Sequence, residues 1–354
     1  MRGHVIAAFF VLTTLNIQAE QPRYRFIGTL KTPGFGLTPL GGVRNGVAGY
    51  WGLDNSSGDL KAPGILASPT GWTNLDETYG VQSARVNGVG DRVIGVSWRS
   101  SDGTDGYLYD GKLTKFKRSP NYLGMSVELS GGGGDWVGGR IVFNEAGAGA
   151  TDDPIGSIAI GYNPVTDQRV EFQEFYHNKF IASNPEGTML FMSSQNFIEQ
   201  VPLFSSHAMY TLTNGVQRYI GPGWAHDLND HGDVLYSRGD WPLLVKDRFG
   251  NDRHIPGASA QDYIPVTSGE IDNAGRVVVW SSSRGNSYVS WGGRLHRLDD
   301  CIEGGGSANG AMLDPVTGYL YTGSGRIYAP VPEPGTLAAL GLGVAAMLRR
   351  RRGA

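Results

Sequence analysis

One cysteine, Cys301, occurs in 354 residues, so no disulfide can form within the chain. A domain of this length must then be held by a hydrophobic core, and it is long enough to build one. No His and Asn context for a nucleophile accompanies Cys301, so a buried thiol is expected. Charge is sparse at 18% of residues, and the only run of four basic residues lies at the extreme C-terminus. Outside that run nothing offers a basic surface for nucleic acid or anionic lipid. The catalytic signatures are missing too. There is no Gly-x-Ser-x-Gly elbow, no His-Glu-x-x-His and no phosphate-binding loop. Gly341-x-Gly343-x-x-Ala346 imitates a dinucleotide fingerprint, but no strand precedes it. The glycine run 131–134 leads into a strand pattern rather than a helix, which removes a phosphate reading. No long amphipathic helix is apparent before residue 334.

What is present is most specific at the two ends. Arg2, an apolar run over residues 5–15 and a small residue before Glu20 fit a secretory signal peptide cleaved between Ala19 and Glu20. The apolar core is too short for a spanning helix, which needs roughly 20 residues. At the other end Val331, Pro332, Glu333 and Pro334 precede an apolar stretch over 336–348. Arg349, Arg350, Arg351 and Arg352 follow it, and such a cluster stays on the cytoplasmic side. This three-part tail resembles the PEP-CTERM sorting signal of Gram-negative bacteria. The resemblance implies recognition by an exosortase, a membrane cysteine protease, after a transient stay of the C-terminal helix in the inner membrane. It further implies release to the cell surface or extracellular matrix. The chain thus divides into a signal peptide at 1–19, an ectodomain at 20–330 and a sorting signal at 331–354. Removing Arg2 and the tail arginines takes the basic count from 30 to 25, and losing Glu333 takes the acidic count from 33 to 32. The ectodomain therefore has a net charge near −7.

The ectodomain is expected to be all-β. Its 54 glycines, in the whole chain, punctuate short Val, Ile, Tyr and Trp runs. A turn followed by a strand recurs, clearest in Asp272-Asn273-Ala274-Gly275-Arg276-Val277-Val278-Val279-Trp280. Aligned on the turn glycine the copies fall at 46, 90, 134, 187, 232, 275 and 318, with steps of 44, 44, 53, 45, 43 and 43. Several units carry a second hairpin, as at 106–113 and 288–295. Two hairpins in about 44 residues make one four-stranded blade, so seven repeats predict a β-propeller. Asn-Gly and Asp-Gly pairs supply the positive-φ turns that such hairpins require. The repeats loosely resemble the extracellular HAF-type repeat, best at 87–113 and 271–298. Residues 24–30 precede the first copy and are expected to close the ring by joining the last, truncated blade. A two-sheet sandwich is the rival architecture.

Candidate chemistry is thin. The segment 226–233 gathers His226, Asp227, Asp230, His231 and Asp233, but its second half occupies a turn that another repeat forms without histidine. A turn is therefore favoured over a metal site. Oxygen-rich loops at 54–59 and 102–106 could hold calcium, yet neither has the spacing of a calcium loop, and solvated turns are expected. No other cofactor is expected. Trp51, Trp98, Trp136 and Trp280 fall in or beside turn-proximal strands, where packing between blades is expected. Trp224 and Trp241 flank His226 and Asp227, and these four residues are the candidate ligand-binding surface, since aromatic rings stack on sugars. The long step places an insertion at 140–156, a loop where binding determinants would concentrate. The expected function is a non-catalytic surface or matrix scaffold meeting extracellular polysaccharide or surface proteins. The alternatives are a propeller hydrolase or lyase using two acids in the central channel, and a calcium-stabilised structural module.

Overall fold

The computed structural model describes residues 23–33, 37–52, 63–99, 105–116, 126–143, 156–174, 177–194, 207–238, 241–257, 266–281, 283–308 and 310–331. The signal peptide with Ala19 and Glu20, and the tail from Pro332 through Arg352, lie outside these residues. So do the loop 54–59, all but the end of 102–106, and 144–155 of the insertion.

The described chain forms seven four-stranded antiparallel sheets. Blade I contains β2 (Leu37–Arg44), β3 (Val47–Gly52), β4 (Gly64–Ala67) and β5 (Trp72–Asn74). Blade II contains β6 (Gln82–Val89), β7 (Val93–Arg99), β8 (Asp105–Tyr109) and β9 (Lys112–Lys115). Blade III contains β10 (Ser126–Gly133), β11 (Trp136–Phe143), β12 (Gly156–Asn163) and β13 (Gln168–Phe172). Blade IV contains β14 (His177–Ser183), β15 (Met189–Ser194), β16 (His207–Thr213) and β17 (Val216–Pro222). Blade V contains β18 (Trp224–Leu228), β19 (Val234–Arg238), β20 (Trp241–Lys246) and β21 (Asp252–Ile255). Blade VI contains β22 (Ser268–Ile271), β23 (Val277–Ser281), β24 (Asn286–Trp291) and β25 (Arg294–Arg297).

Blade VII is built from both ends of the ring. Its order is β26 (Met312–Leu313), β27 (Leu320–Tyr321), β28 (Arg326–Pro330) and then β1 (Tyr24–Thr29). The predicted closing strand is therefore the outermost strand of the last blade, with Tyr24 opposite Pro330. Among the described residues helix is confined to one five-residue turn, α1 (Leu75–Tyr79), and a 3-10 turn over Leu298–Cys301. Asn74 caps α1 by accepting from Asp76 N and Glu77 N.

The repeat is visible in the packing. Seven apolar clusters form, one in each seam between neighbouring blades. Tyr24, Leu313 and Tyr328 meet Val278 and Val289 between blades VI and VII, and Tyr50 and Ile65 meet Tyr321 and Ile327 between VII and I. Trp136 is buried between III and IV, and Trp98 packs in the seam of I and II, as their places in the repeat predict. At Gly138 the Phe180 ring of the next blade lies where a Cβ would stand. Six of the seven aligned turn glycines have positive φ, from 58° at Gly134 to 85° at Gly232. Gly90 is the exception. It is needed for space, because the Gly134 carbonyl of the next blade occupies the position of its missing Cβ.

Candidate functional site

Strand 1 of every blade runs toward the aligned turns, so all seven of those turns lie on one face, the turn face. The connections between strands 2 and 3, and from strand 4 to the next blade, leave from and return to the opposite face.

On the turn face the blades are stitched together. The first residue of four turns caps its own turn: Asn184 accepts from Thr188 N, Asn229 from Asp233 N, Asp272 from Arg276 N and Asp314 from Val316 N. The same groups reach the next blade, with Asn229 Nδ2 donating to Asp272 O at 3.1 Å and Gly46 N donating to Asp314 Oδ2 at 2.9 Å. The second of these closes the ring from VII to I. Arg44, 5% exposed at the end of β2, makes the longest tie. Its Nε donates to Asp91 Oδ1 of blade II at 2.6 Å, and its Nη2 donates to Asp230 of blade V at 2.9 and 3.1 Å. Because blade V lies across the ring from blade I, this bond is a chord over the channel mouth. Asn273 Nδ2 donates to Asp230 Oδ2 as well, at 2.8 Å. A hydrogen-bonded cation with two carboxylates thus spans the turn face of the channel.

The predicted ligand residues Trp224, His226 and Asp227 all lie on β18, the innermost strand of blade V, but they do not converge. Trp224 packs on the His207 ring of blade IV, centroids 4.9 Å apart. A bulge at His226 turns its Nε2 to Ser237 Oγ at 3.0 Å. Burial, reinforced by the Lys179 charge of blade IV, lowers the His226 pKa to about 4, so the ring is neutral. Asp227 faces the other neighbour and accepts from Ile271 N of blade VI at 2.9 Å. Trp241 begins β20, and the register of Trp224 opposite Ser237 and Arg238 opposite Trp241 puts both tryptophans at the same end of blade V, away from the turn face. His231 contributes its backbone N–H to the Asn229 cap. Among the described residues no group of three or more His, Cys, Asp or Glu side chains is placed to hold a metal.

One partner of Asp227 was not foreseen. Glu270 on β22 accepts from Leu313 N of blade VII, as Asp227 accepts from Ile271 N one blade earlier. Innermost strands have an edge with no strand beside it, and these carboxylates satisfy amides along that edge. Burial pushes Asp227 up to about 7, against the opposing Ile271 hydrogen bond and the Arg44 charge. Burial likewise pushes Glu270 up to about 8, and the Asp227 and Asp314 charges add to it. In the same register blades IV and VII carry Ala182 and Met312. An alignment on the turn glycine puts acids there in V and VI, which is the signal sequence reading could have used. A separate groove of about 470 Å³ lies between blades III and IV, lined by Asn163, Gln168, Arg169, Glu186 and Asn214 above Trp136. Trp136 is only 7% exposed, so it packs in the seam and offers little face for stacking.

The fold places the chain among seven-bladed β-propellers whose ring is closed by an N-terminal strand. The β-propeller domain of the trilobed protease from Pyrococcus furiosus is similar, with a TM-score of 0.51 and 11% identity over 75% of this chain and 84% of that one. An oligogalacturonate lyase from Vibrio parahaemolyticus gives a TM-score of 0.51 and 8% identity, covering 88% of this chain and 98% of that one. An acylaminoacyl peptidase from Pyrococcus horikoshii gives 0.50 and 12%, covering 86% of this chain, which spans about half of the peptidase at 54%. At these identities the likeness is one of fold. No curated protein sequence matches the chain. Residues 330–352 match the family described as the PEP-CTERM protein-sorting motif, which implies an exported, exosortase-processed protein destined for the surface.

Proposed function

We propose that the chain is a surface or matrix protein whose propeller is a non-catalytic scaffold, presenting the face opposite the turns to extracellular polysaccharide or to other surface proteins. The observation that carries this reading is the junction at Val331. The last strand of a closed ring runs without a linker into the sorting motif. The inter-blade ties support a rigid frame, and Trp224 and Trp241 begin strands at the face left free for contact. Exosortase and the secretion machinery are its processing partners, and the tail helix crosses the membrane transiently.

A second reading rests on Asp227 and Glu270. Two coupled acids with raised pKa values in adjacent innermost strands are a starting point for acid–base cleavage of a glycan. Each already binds a backbone amide of the next blade, which favours the structural role. One experiment separates the readings. The processed protein is incubated with a panel of bacterial polysaccharides and scored for retention and for release of shorter fragments. Retention without fragments is expected, and Trp224→Ala should weaken it. Fragment release that is lost in Asp227→Asn would replace the scaffold with an enzyme.

A further inference from the structure

The ring is closed where other blades have a turn between strands 3 and 4. In blade VII that place holds Arg23 and Val331, at the two limits of the described residues, and Val331 N donates to Arg23 O at 2.8 Å. The tail therefore departs on the turn-face side of the ring, from a β28 paired on one side with β27 and on the other with β1. Only Pro332 and Glu333 separate Val331 from Pro334, where the apolar segment can begin. An extended chain covers at most ~3.6 Å per residue, so the tether reaches roughly 10 Å. An anchored ring cannot stand clear of the bilayer.

Among the described residues, exposed apolar side chains gather on that side. Eight large hydrophobic residues are exposed among the described residues, and five of them stand in or directly after turn-face turns. These are Trp72, Val165, Val216, Phe249 and Val316, in blades I, III, IV, V and VII. Phe249 and Val216 are 73% and 68% exposed. No seam uses these five. Their spread around the ring favours a docking plane over a single edge contact. On the opposite face the described turn residues 283–285 and 322–325 include no exposed large hydrophobic residue.

We infer that before cleavage the turn face rests on the outer surface of the phospholipid bilayer that holds the tail, with these apolar tips at headgroup level. An interfacial contact of this kind reaches about 5–10 Å into the headgroup boundary, which matches the tether. With the ectodomain's net charge near −7, the attraction is apolar rather than electrostatic. The inference rests on the sorting reading, because the tail supplies the anchor. It deepens that reading by fixing which face is outward.

The test uses the full chain in vesicles of phosphatidylcholine and phosphatidylethanolamine carrying a doxyl-labelled lipid. In a Cys301→Ser background, Phe249→Cys, Val216→Cys and, on the opposite face, Ser283→Cys each receive an environment-sensitive fluorophore. Severalfold stronger quenching at 249 and 216 than at 283 is expected. Equal quenching at all three positions, or none, overturns the inference. Fluorophores at 249 that respond to a second labelled copy but not to doxyl lipid also overturn it, in favour of chain–chain contact. Alkaline washing of the same vesicles reads the tail separately. Loss of the chain from the vesicles removes the anchor and the inference together, whereas retention without quenching removes only the inference.

Discussion

Asp227 and Glu270 show how a side chain's role depends on the blade beside it. Each satisfies an edge amide of the following blade, and each has a pKa raised chiefly by burial. Such a carboxyl binds more protons folded than unfolded. Its stabilising contribution is complete below the unfolded values of 3.8 and 4.5, and it is lost as pH rises through about 7 and about 8. His226 acts in the opposite sense, since its folded pKa of about 4 lies below 6.5 and stability falls as acid charges it. Two carboxyls outweigh one imidazole, so the melting temperature should fall between about pH 5 and about pH 8.5. Asp227→Asn and Glu270→Gln keep an acceptor for the amide and remove the charge. Each should flatten that profile and recover on the order of 1–3 kcal/mol at the alkaline end. A thermal melt series across pH reads this, and unchanged slopes would mean the carboxyls titrate normally. Residue chemistry alone points to Asp227 only through its neighbour His226, and Glu270 shows itself only when the repeats are aligned on the turn glycine, because strand register decides which acids meet a neighbouring edge. Arg44 was likewise hidden, since its partner Asp230 lies across the ring.

At the scale of the element, the turns were the legible part. Asn-Gly, Asp-x-x-Gly and their relatives have a local cause, the need for positive φ, and local causes can be read from sequence. The spacing of those turns then gave blade number, and the early segment's place before the first copy gave the closing strand. Gly90 is instructive because it fits the alignment for a different reason, the approach of the next blade's carbonyl. What escaped was the seam chemistry, which depends on pairs some 43 to 50 residues apart, such as Asn229 with Asp272 and Ser183 with Gly133. The closing strand can be tested by single substitutions. Tyr24 is fully buried in the seam of blades VI and VII, whereas Phe26 on the same strand is half exposed. Tyr24→Ala should cost about 3–5 kcal/mol, as large aromatic truncations do, and Phe26→Ala should cost well under half of that. Denaturant unfolding measures both. Equal small losses would show that β1 is dispensable to the ring.

At the scale of the molecule, the closure and the sorting signal constrain each other. β28 is hydrogen-bonded on both sides and Val331 is tied to Arg23, so a protease cannot draw residues 326–331 into an extended site without opening blade VII. Opening that blade exposes the seams held by Tyr24, Tyr328 and Ile327, which makes it one of the costlier local unfolding events available. Cleavage should therefore fall after Val331, within the Pro-Glu-Pro segment or just beyond it, and the released protein should keep an intact ring. Intact-mass measurement of the released form would locate the new C-terminus. A terminus inside 326–330 would mean that processing and unfolding of blade VII are coupled. Glu333→Ala and Pro334→Ala change the motif while leaving every described strand untouched. Both should fold with an unaltered melting temperature yet stay with the membrane fraction. Normal release of either would show that the enzyme recognises the apolar segment and arginine cluster rather than the motif, and the short tether would then have to be recognised by its position against the ring.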